Sequence, residues 1–326
     1  MRTAFIEELC KLAEKNSDIW LVCGDLGFSV LEQFSDRFPD RYLNAGVAEQ
    51  NMTGLAAGLA LEGKTVFVYS IANFPVMRCL EQIRNDVCYH NLNVKVVSVG
   101  GGLAYGSHGY THHGVEDFAV TCALPNITVA APGDPAEARE VARLAAVTPG
   151  PAYIRLGKAG EPLLHHGGIS LEVGRSVRLK SGKDLTLFTT GGILDNALKV
   201  AALLEQKGYS AGVISAPYLV PFDEAAVLEA ARETPAILTI EEHGWGGLGT
   251  IVADVLARNR CGVYFHPLRL KAKPVKVSGS QEYLRQQHGI GMDDIFKAAI
   301  KIADEARGAL VSTQAKVRYD ENRSLV

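Results

Sequence analysis

No apolar run in the sequence approaches the ~18–20 residues a membrane-crossing helix requires, so no membrane span is expected. Charge of one sign is equally scarce: 36 acids stand against 33 bases, a formal net charge of −3. That balance provides no electrostatic footprint for nucleic acid or an anionic membrane, and neither is expected as a partner. None of the six cysteines (Cys10, Cys23, Cys79, Cys88, Cys122, Cys261) belongs to a Cys-x-x-Cys pair, and most have apolar neighbours. Reduced, buried thiols in a cytoplasmic chain are therefore expected. The opening segment, MRTAFIEELCKLAEKN, carries acids inside its apolar pattern and lacks a cleavage site, so it does not read as a secretory signal. What is plentiful is core. Apolar residues make up 47% of the 326 and charged residues 21%, which suits two domains of common size and excludes global disorder.

Elements alternate from the first residues. Apolar spacing predicts a helix over 3–16, and short continuous apolar runs predict buried parallel strands at 19–23, 65–69, 94–99, 127–130 and 152–155. Helices fall between them at 48–61, 77–89 and 134–146, the last capped by Asp134. A glycine-rich loop occupies 100–114. From 158 to 183 helical periodicity disappears while Gly, Pro, His and Lys become frequent, which marks a linker. The alternation then restarts, with strands at 185–189, 211–215, 236–240 and 262–265 and helices at 193–207, 223–233, 247–258 and 293–306. The expected fold class is α/β: two doubly wound α/β domains, 1–157 and 184–311, followed by a loose tail over 312–326.

Two local patterns invite chemistry. Gly244-Trp-Gly246-Gly-Leu-Gly249 matches G-x-G-x-x-G after a strand and before a helix, as in dinucleotide-binding folds. However, about twenty residues on, where an acid should meet the ribose, the chain reads Arg269-Leu-Lys271. Those bases would suit a 2′-phosphate; close packing of helix on sheet is the simpler use of the glycines. The second pattern is Tyr42-Leu-Asn-Ala-Gly-Val-Ala-Glu49-Gln-Asn-Met-Thr-Gly-Leu-Ala-Ala-Gly. Glu49 heads a helix of Ala, Gly, Leu and Met, a setting that solvates a carboxylate poorly and favours its protonated form. An ordinary N-terminal acid favoured by the helix dipole is the alternative.

Glu49 does not stand alone. After it come Val-Tyr-Ser-Ile-Ala-Asn-Phe74 and Gly-Gly-Gly-Leu-Ala-Tyr-Gly-Ser-His108-Gly-Tyr-Thr-His112-His-Gly-Val-Glu-Asp117. Leu-Pro-Asn-Ile-Thr-Val-Ala-Ala-Pro-Gly-Asp134 follows, then Glu241-Glu-His-Gly-Trp-Gly-Gly-Leu-Gly and Ser278-Gly-Ser-Gln-Glu-Tyr-Leu. This ordered series resembles the pyrimidine-binding and C-terminal domains of the transketolase family, over nearly the whole chain to about Ala306. The resemblance implies thiamine diphosphate as cofactor. It implies that Glu49 shares a proton with N1′ of the aminopyrimidine and that Phe74 stacks on that ring. His112 would contact the donor substrate's oxygen near the reacting carbon, where a neutral imidazole can donate to developing charge. Asp25 and Ser29, in Gly-Asp-Leu-Gly-Phe-Ser, resemble the segment lying along the cofactor and the donor sugar. Arg155 resembles the residue whose guanidinium fork holds the sugar's terminal phosphate. His113 has no counterpart and reads as a solvated loop residue, and no third ligand makes a metal pair with His112.

Two departures bear on substrate. Four residues before His112, where most of the family carries an aspartate for a substrate hydroxyl, this chain has His108; twelve before it, where many have a phosphate-side histidine, it has Gly100. The ketose and aldose are left open, with His108 facing them. Also missing is Gly-Asp-Gly with a downstream Asn, the family's metal and diphosphate signature; Gly24-Asp25-Leu26 and Gly133-Asp134-Pro135 are the nearest approaches. The resemblance thus implies the C-terminal subunit of a split transketolase, moving a two-carbon ketol unit from a ketose (phosphate) to an aldose (phosphate). A separate N-terminal subunit would carry the diphosphate-binding domain and hold Mg²⁺ (or Ca²⁺), in an α2β2 assembly. The rival is the β subunit of a 2-oxo acid dehydrogenase E1 component, which typically has His-Ser-Gln where this loop reads Gly-Tyr-Thr-His-His. A non-catalytic α/β partner subunit is the third reading.

Overall fold

The computed structural model describes the backbone of residues 1–323 and the side chains of 1–309. Six strands make the body of the first sheet: β1 (Ile19–Cys23), β2 (Tyr42–Asn44), β3 (Thr65–Ile71), β4 (Val94–Val99), β5 (Thr128–Ala130) and β6 (Ala152–Leu156). They lie parallel in the order β5-β6-β4-β3-β1-β2. Both faces are covered, which is why the strands read as continuous apolar runs. Along β3, Val66 and Val68 face one core with Met52 and Ala56 of the helix Glu49–Leu61. Phe67 and Tyr69 point the other way, onto Phe5, Leu9 and Val141 of the helices Arg2–Lys15 and Pro135–Val147. Each such side chain contributes roughly 1.5–3 kcal/mol relative to exposure.

The second sheet contains β7 (Val177–Lys180), β8 (Leu185–Thr189), β9 (Ala211–Ser215), β11 (Ala236–Ile240) and β12 (Tyr264–Leu268), ordered β12-β11-β8-β9-β7. Only β7 in it runs antiparallel. Between β9 and β11 the chain sends a short strand, β10 (Tyr218–Val220), back to the first sheet to pair antiparallel with β5. The core under Val66 and Val68 likewise continues into Phe188, Ile214 and Val252, so the domains share packed side chains.

Several expectations need correction. The linker read over 158–183 ends in β7, where Val177 and Leu179 alternate with Arg178 and Lys180 in a half-buried edge pattern. The loose tail over 312–326 is helical as far as Arg323, within a helix Met292–Arg323; residues 324–326 lie outside the described residues. That segment has no Gly or Pro after Gly308 and is rich in good helix formers, but it lacks the apolar stripe that would announce a helix. The helix expected over 77–89 is broken into Asn73–Met77, Leu80–Gln82 and a wide turn Ile83–Cys88, which brings Phe74 into its first turn. The linker is pinned by Asp134. One carboxylate oxygen caps the helix Pro135–Val147 at the Glu137 N–H (2.8 Å), and the other accepts from the N–H groups of Leu164 (2.8 Å) and His165 (3.1 Å).

At the junction of the domains His243 is fully buried, its Nε2 accepting from the Phe118 N–H at 3.1 Å. Burial pushes its pKa down to about 4. The folded state therefore binds the neutral ring, and its stability is complete above pH 6.5 and is lost as pH falls toward 4. Urea unfolding should show wild type losing about 2 kcal/mol more than His243→Gln between about pH 7.5 and about pH 5. Parallel losses in the two proteins would mean that the ring is charged inside the fold.

Candidate active site

Parallel order sets the site. The carboxyl ends of β6, β4, β3, β1 and β2 lie side by side, and the segments leaving them carry the residues singled out from sequence. Such edges form the ligand crevice of open α/β sheets. Asp25 and Ser29 follow β1, Glu49 follows β2, Phe74 follows β3, and His108 and His112 follow β4.

Glu49 is the first residue of its helix and 5% exposed. Its Oε1 accepts from Nη1 of Arg78 at 2.7 Å, while among the described residues Oε2 receives no hydrogen bond. Arg78 was not foreseen. Its guanidinium also lies 4.3 Å from the centre of the Phe74 ring, tying the acid to the aromatic. Phe74 meets His112 edge to face with ring centres 5.2 Å apart, and His112 lies 5.1 Å from His108. Tyr105 closes the row, 5.4 Å from His108 and 6.3 Å from His112, with Lys158 over its ring at 4.7 Å. Carboxylate, arginine, aromatic and imidazoles therefore form one unbroken wall. Beside it opens a cleft of about 530 Å³ lined by Phe74, Met77, Arg78, Tyr110, His113 and Glu116, among others.

Burial, and then the neighbouring His108 ring and Arg78 guanidinium, hold the His112 pKa below the ordinary imidazole value. The ring is thus neutral at neutral pH and able to donate one proton. Thr111 Oγ1 lies 3.0 Å from its Nδ1, and the Thr111 carbonyl accepts from Asn73 Nδ2 at 2.9 Å, which locks the loop to the segment bearing Phe74. The 100–114 loop is itself closed by paired hydrogen bonds between Gly102 and Gly114 (2.8 and 3.1 Å). A Cβ on Gly101 or Gly102 would run into the Arg155 guanidinium, so that turn needs glycine.

Asp25 and Ser29 both have positive φ (54° and 63°), strained for non-glycine residues. Reciprocal bonds hold the first: the Asp25 N–H donates to Asn44 Oδ1 and Asn44 Nδ2 to Asp25 Oδ1, each at 3.0 Å. Glu32 Oε1 accepts from the Ser29 N–H at 2.8 Å. Gly24, just before them, would place a Cβ 3.8 Å from Glu49 Cγ, so this loop borders the acid.

Two residues lie deeper than expected. Arg155 is only 7% exposed and turned inward beneath the glycine turn. Nη1 contacts Asp117 at 3.3 Å, Nη2 donates to the Glu242 carbonyl at 2.7 Å, and its face covers Phe118 at 4.3 Å. One arm of its fork meets Asp117 of its own domain and the other crosses to Glu242 of the second, and the side chain borders a hollow with Gly101, Gln281 and Arg285. His113, read as solvated, is 1% exposed because the Gly102–Gly114 closure draws it in; neither ring nitrogen has a partner among the described residues.

The dinucleotide-like glycines are also accounted for. Leu248 and Gly249 donate their N–H groups to the two oxygens of Glu241, both at 2.8 Å. The helix terminus that would receive a pyrophosphate is already filled by the chain's own buried carboxylate, whose pKa burial pushes up to about 7. Among the described residues no group of three or more His, Cys, Asp or Glu could hold a metal ion, and no helix is long and apolar enough to cross a membrane. All six cysteines are free.

Fold and wall together define an α/β domain that offers an acid, a stacking ring and a neutral imidazole at the carboxyl edge of its sheet, with a second α/β domain welded to it. The chain belongs to the transketolase family: residues 1–160 match the family model "Transketolase, pyrimidine binding domain", and residues 174–295 match "Transketolase, C-terminal domain". It is 35% identical over 305 residues to a subunit of the apulose-4-phosphate transketolase of Phocaeicola vulgatus, covering 92% of this chain and 96% of that one. With the 6-deoxy-6-sulfo-D-fructose transketolase subunit SqwH of a Clostridium species it shares 33% identity, covering 93% and 94%. A solved structure described as a split gene transketolase, inactive beta4 tetramer, superposes with a TM-score of 0.84 at 37% identity, covering 93% of this chain and 98% of that one. The chain is thus of the length and domain content of one subunit of a split transketolase, and the family works with thiamine diphosphate. The residues present fit the aminopyrimidine end of that cofactor: a buried carboxylate with one oxygen unengaged, and a partly buried ring facing an open cleft.

Proposed function

We propose that this chain is the catalytic C-terminal subunit of a two-chain transketolase, transferring a two-carbon ketol unit from a ketose to an aldose. One observation carries the reading: Glu49, Phe74 and His112, far apart in sequence, stand along a single wall. Thiamine diphosphate, when bound, supplies the carbon that accepts and releases the two-carbon unit. Glu49 holds and exchanges a proton at N1′ of the aminopyrimidine, its helix fixing the carboxylate and Arg78 fixing its orientation. Phe74 stacks on the ring and excludes water from one face. His112, held neutral, donates from Nε2 to the donor sugar's oxygen beside the reacting carbon, and Thr111 secures its other nitrogen. Asp25 and Ser29 border the cofactor and donor, and His108 faces the sugar from the far side of His112.

Two relatives of nearly equal identity are named for different sugars, so the relationship leaves the sugar pair open; a phosphate or another anion on ketose and aldose is part of the proposal. A separate N-terminal subunit supplies the diphosphate cradle and Mg²⁺ (or Ca²⁺), in an α2β2 assembly. The six free thiols support a cytoplasmic setting. The chain alone, given thiamine diphosphate and Mg²⁺, should turn over no ketose. Adding the diphosphate-binding transketolase subunit of the same organism should restore transfer, read as aldose-dependent ketose consumption. Full activity of the isolated chain would refute the divided centre.

A further inference from the structure

The cleft beside Phe74 does not end at the first domain. Tyr110 and Glu116, which line it, also line a second hollow of about 340 Å³ that reaches Trp245 and Lys271 of the second domain. Trp245, Leu270, Lys271 and Ala272 in turn border a third, of about 530 Å³, extending to His266 and His288. The three form one trough from the catalytic wall across the domain boundary.

Trp245 stands at its middle and is 68% exposed. Its ring is not loose. The Arg269 guanidinium lies 4.3 Å from the ring centre and donates to Thr250 Oγ1 at 3.2 Å, and the Gly246 N–H donates to the same hydroxyl at 3.0 Å. An exposed indole held in place by an arginine loses little entropy when covered, and Trp, Tyr and Arg are the residue types that anchor protein interfaces. The charge is one-sided. Arg269, Lys271 and Lys273 border the second and third hollows against a single carboxylate, Glu116, which already accepts from the Tyr110 hydroxyl at 2.9 Å, while burial holds the rings of His266 and His288 toward the neutral form.

We infer that this trough is the docking surface for the diphosphate-binding subunit, with Trp245 as its anchor in the C-terminal domain and an acidic patch of the partner opposite Lys271 and Lys273. The inference rests on the two-chain reading above and adds to it where, beyond the cofactor, the partner is gripped. Continuity with the open half of the catalytic centre selects this occupant. A second copy paired about a twofold axis along the trough would bring Arg269, Lys271 and Lys273 face to face with their own counterparts.

Fluorescence tests it directly, because the sequence has only two tryptophans, Trp20 and Trp245. In the full-length Trp20→Phe chain, the emission of Trp245 should move to shorter wavelength when the partner subunit is added, at the stoichiometry that sedimentation gives for the complex. Trp245→Ala should weaken subunit association by about 10- to 100-fold. Lys271→Glu combined with Lys273→Glu should slow association and reduce its dependence on salt. A complex that forms with Trp245 emission unchanged, or with an affinity unaffected by Trp245→Ala, overturns the inference while leaving the two-chain reading intact. A shift that appears on raising the concentration of this chain alone overturns the choice of occupant. Wild-type chains that form no complex at all remove the two-chain reading and this surface with it.

Discussion

Glu49→Gln, assembled with the partner subunit, thiamine diphosphate and Mg²⁺, should turn over about 10²- to 10⁴-fold more slowly than wild type. The amide keeps the volume of the acid at the head of its helix, where the side chain is 5% exposed, so packing should survive. What disappears is the ability to take and return a proton at the pyrimidine nitrogen. The ion pair that Arg78 makes at 2.7 Å also goes, but Arg78 is half exposed and keeps its stack on Phe74 at 4.3 Å. Cofactor affinity should therefore change far less than turnover. The decisive measurement is solvent deuterium exchange at C2 of the bound cofactor, which should slow by the same factor as turnover. Exchange at the wild-type rate would place the acid elsewhere; tenfold weaker cofactor binding with normal exchange would make Glu49 a binding group only.

The sequence singles out Glu49 by its place in the chain and Phe74 and His112 by the resemblance, and the structure sets the three along one wall. The acid heads a helix of Ala and Gly, the aromatic follows a strand, and the imidazole sits in a glycine-rich loop after another. Strand ends are also where an α/β sheet keeps its ligands. Arg78 was hidden because an arginine on a broken helix resembles any solvated charge, and its partner is 29 residues away. His113 was misplaced, and the burial of Arg155 hidden, for a related reason. Whether a polar side chain is buried depended on the Gly102–Gly114 closure and on the packing of one domain against the other. No window of sequence contains either event. Strand β10 illustrates the same limit, since three residues that belong by order to the second domain complete the sheet of the first.

Arg155→Met tests the structural reading of that residue against the phosphate-binding role that the resemblance implies. The variant should lose about 3–5 kcal/mol of unfolding free energy, because removing one member of a buried pair leaves the other charge uncompensated. The stranded group would be Asp117, 1% exposed, which retains only the Tyr153 hydroxyl at 2.6 Å and the neutral His243 ring at 3.7 Å. A phosphate-binding arginine would behave otherwise: stability would hold, and KM would rise for a phosphorylated ketose but not for its unphosphorylated counterpart. His243 provides a further discrimination. After burial, the Asp117 carboxylate is what works to raise its pKa, and the Arg155 charge works to lower it. With the arginine gone, a proton on His243 would compensate Asp117, so the ring's pKa in the folded state should climb back toward 6.5. The folded variant would then bind more protons than folded wild type below that pH. Its stability deficit should be largest near neutrality and should narrow as pH falls through 6 to 5. A deficit constant across that range would show that the Asp117–His243 contact carries no charge coupling.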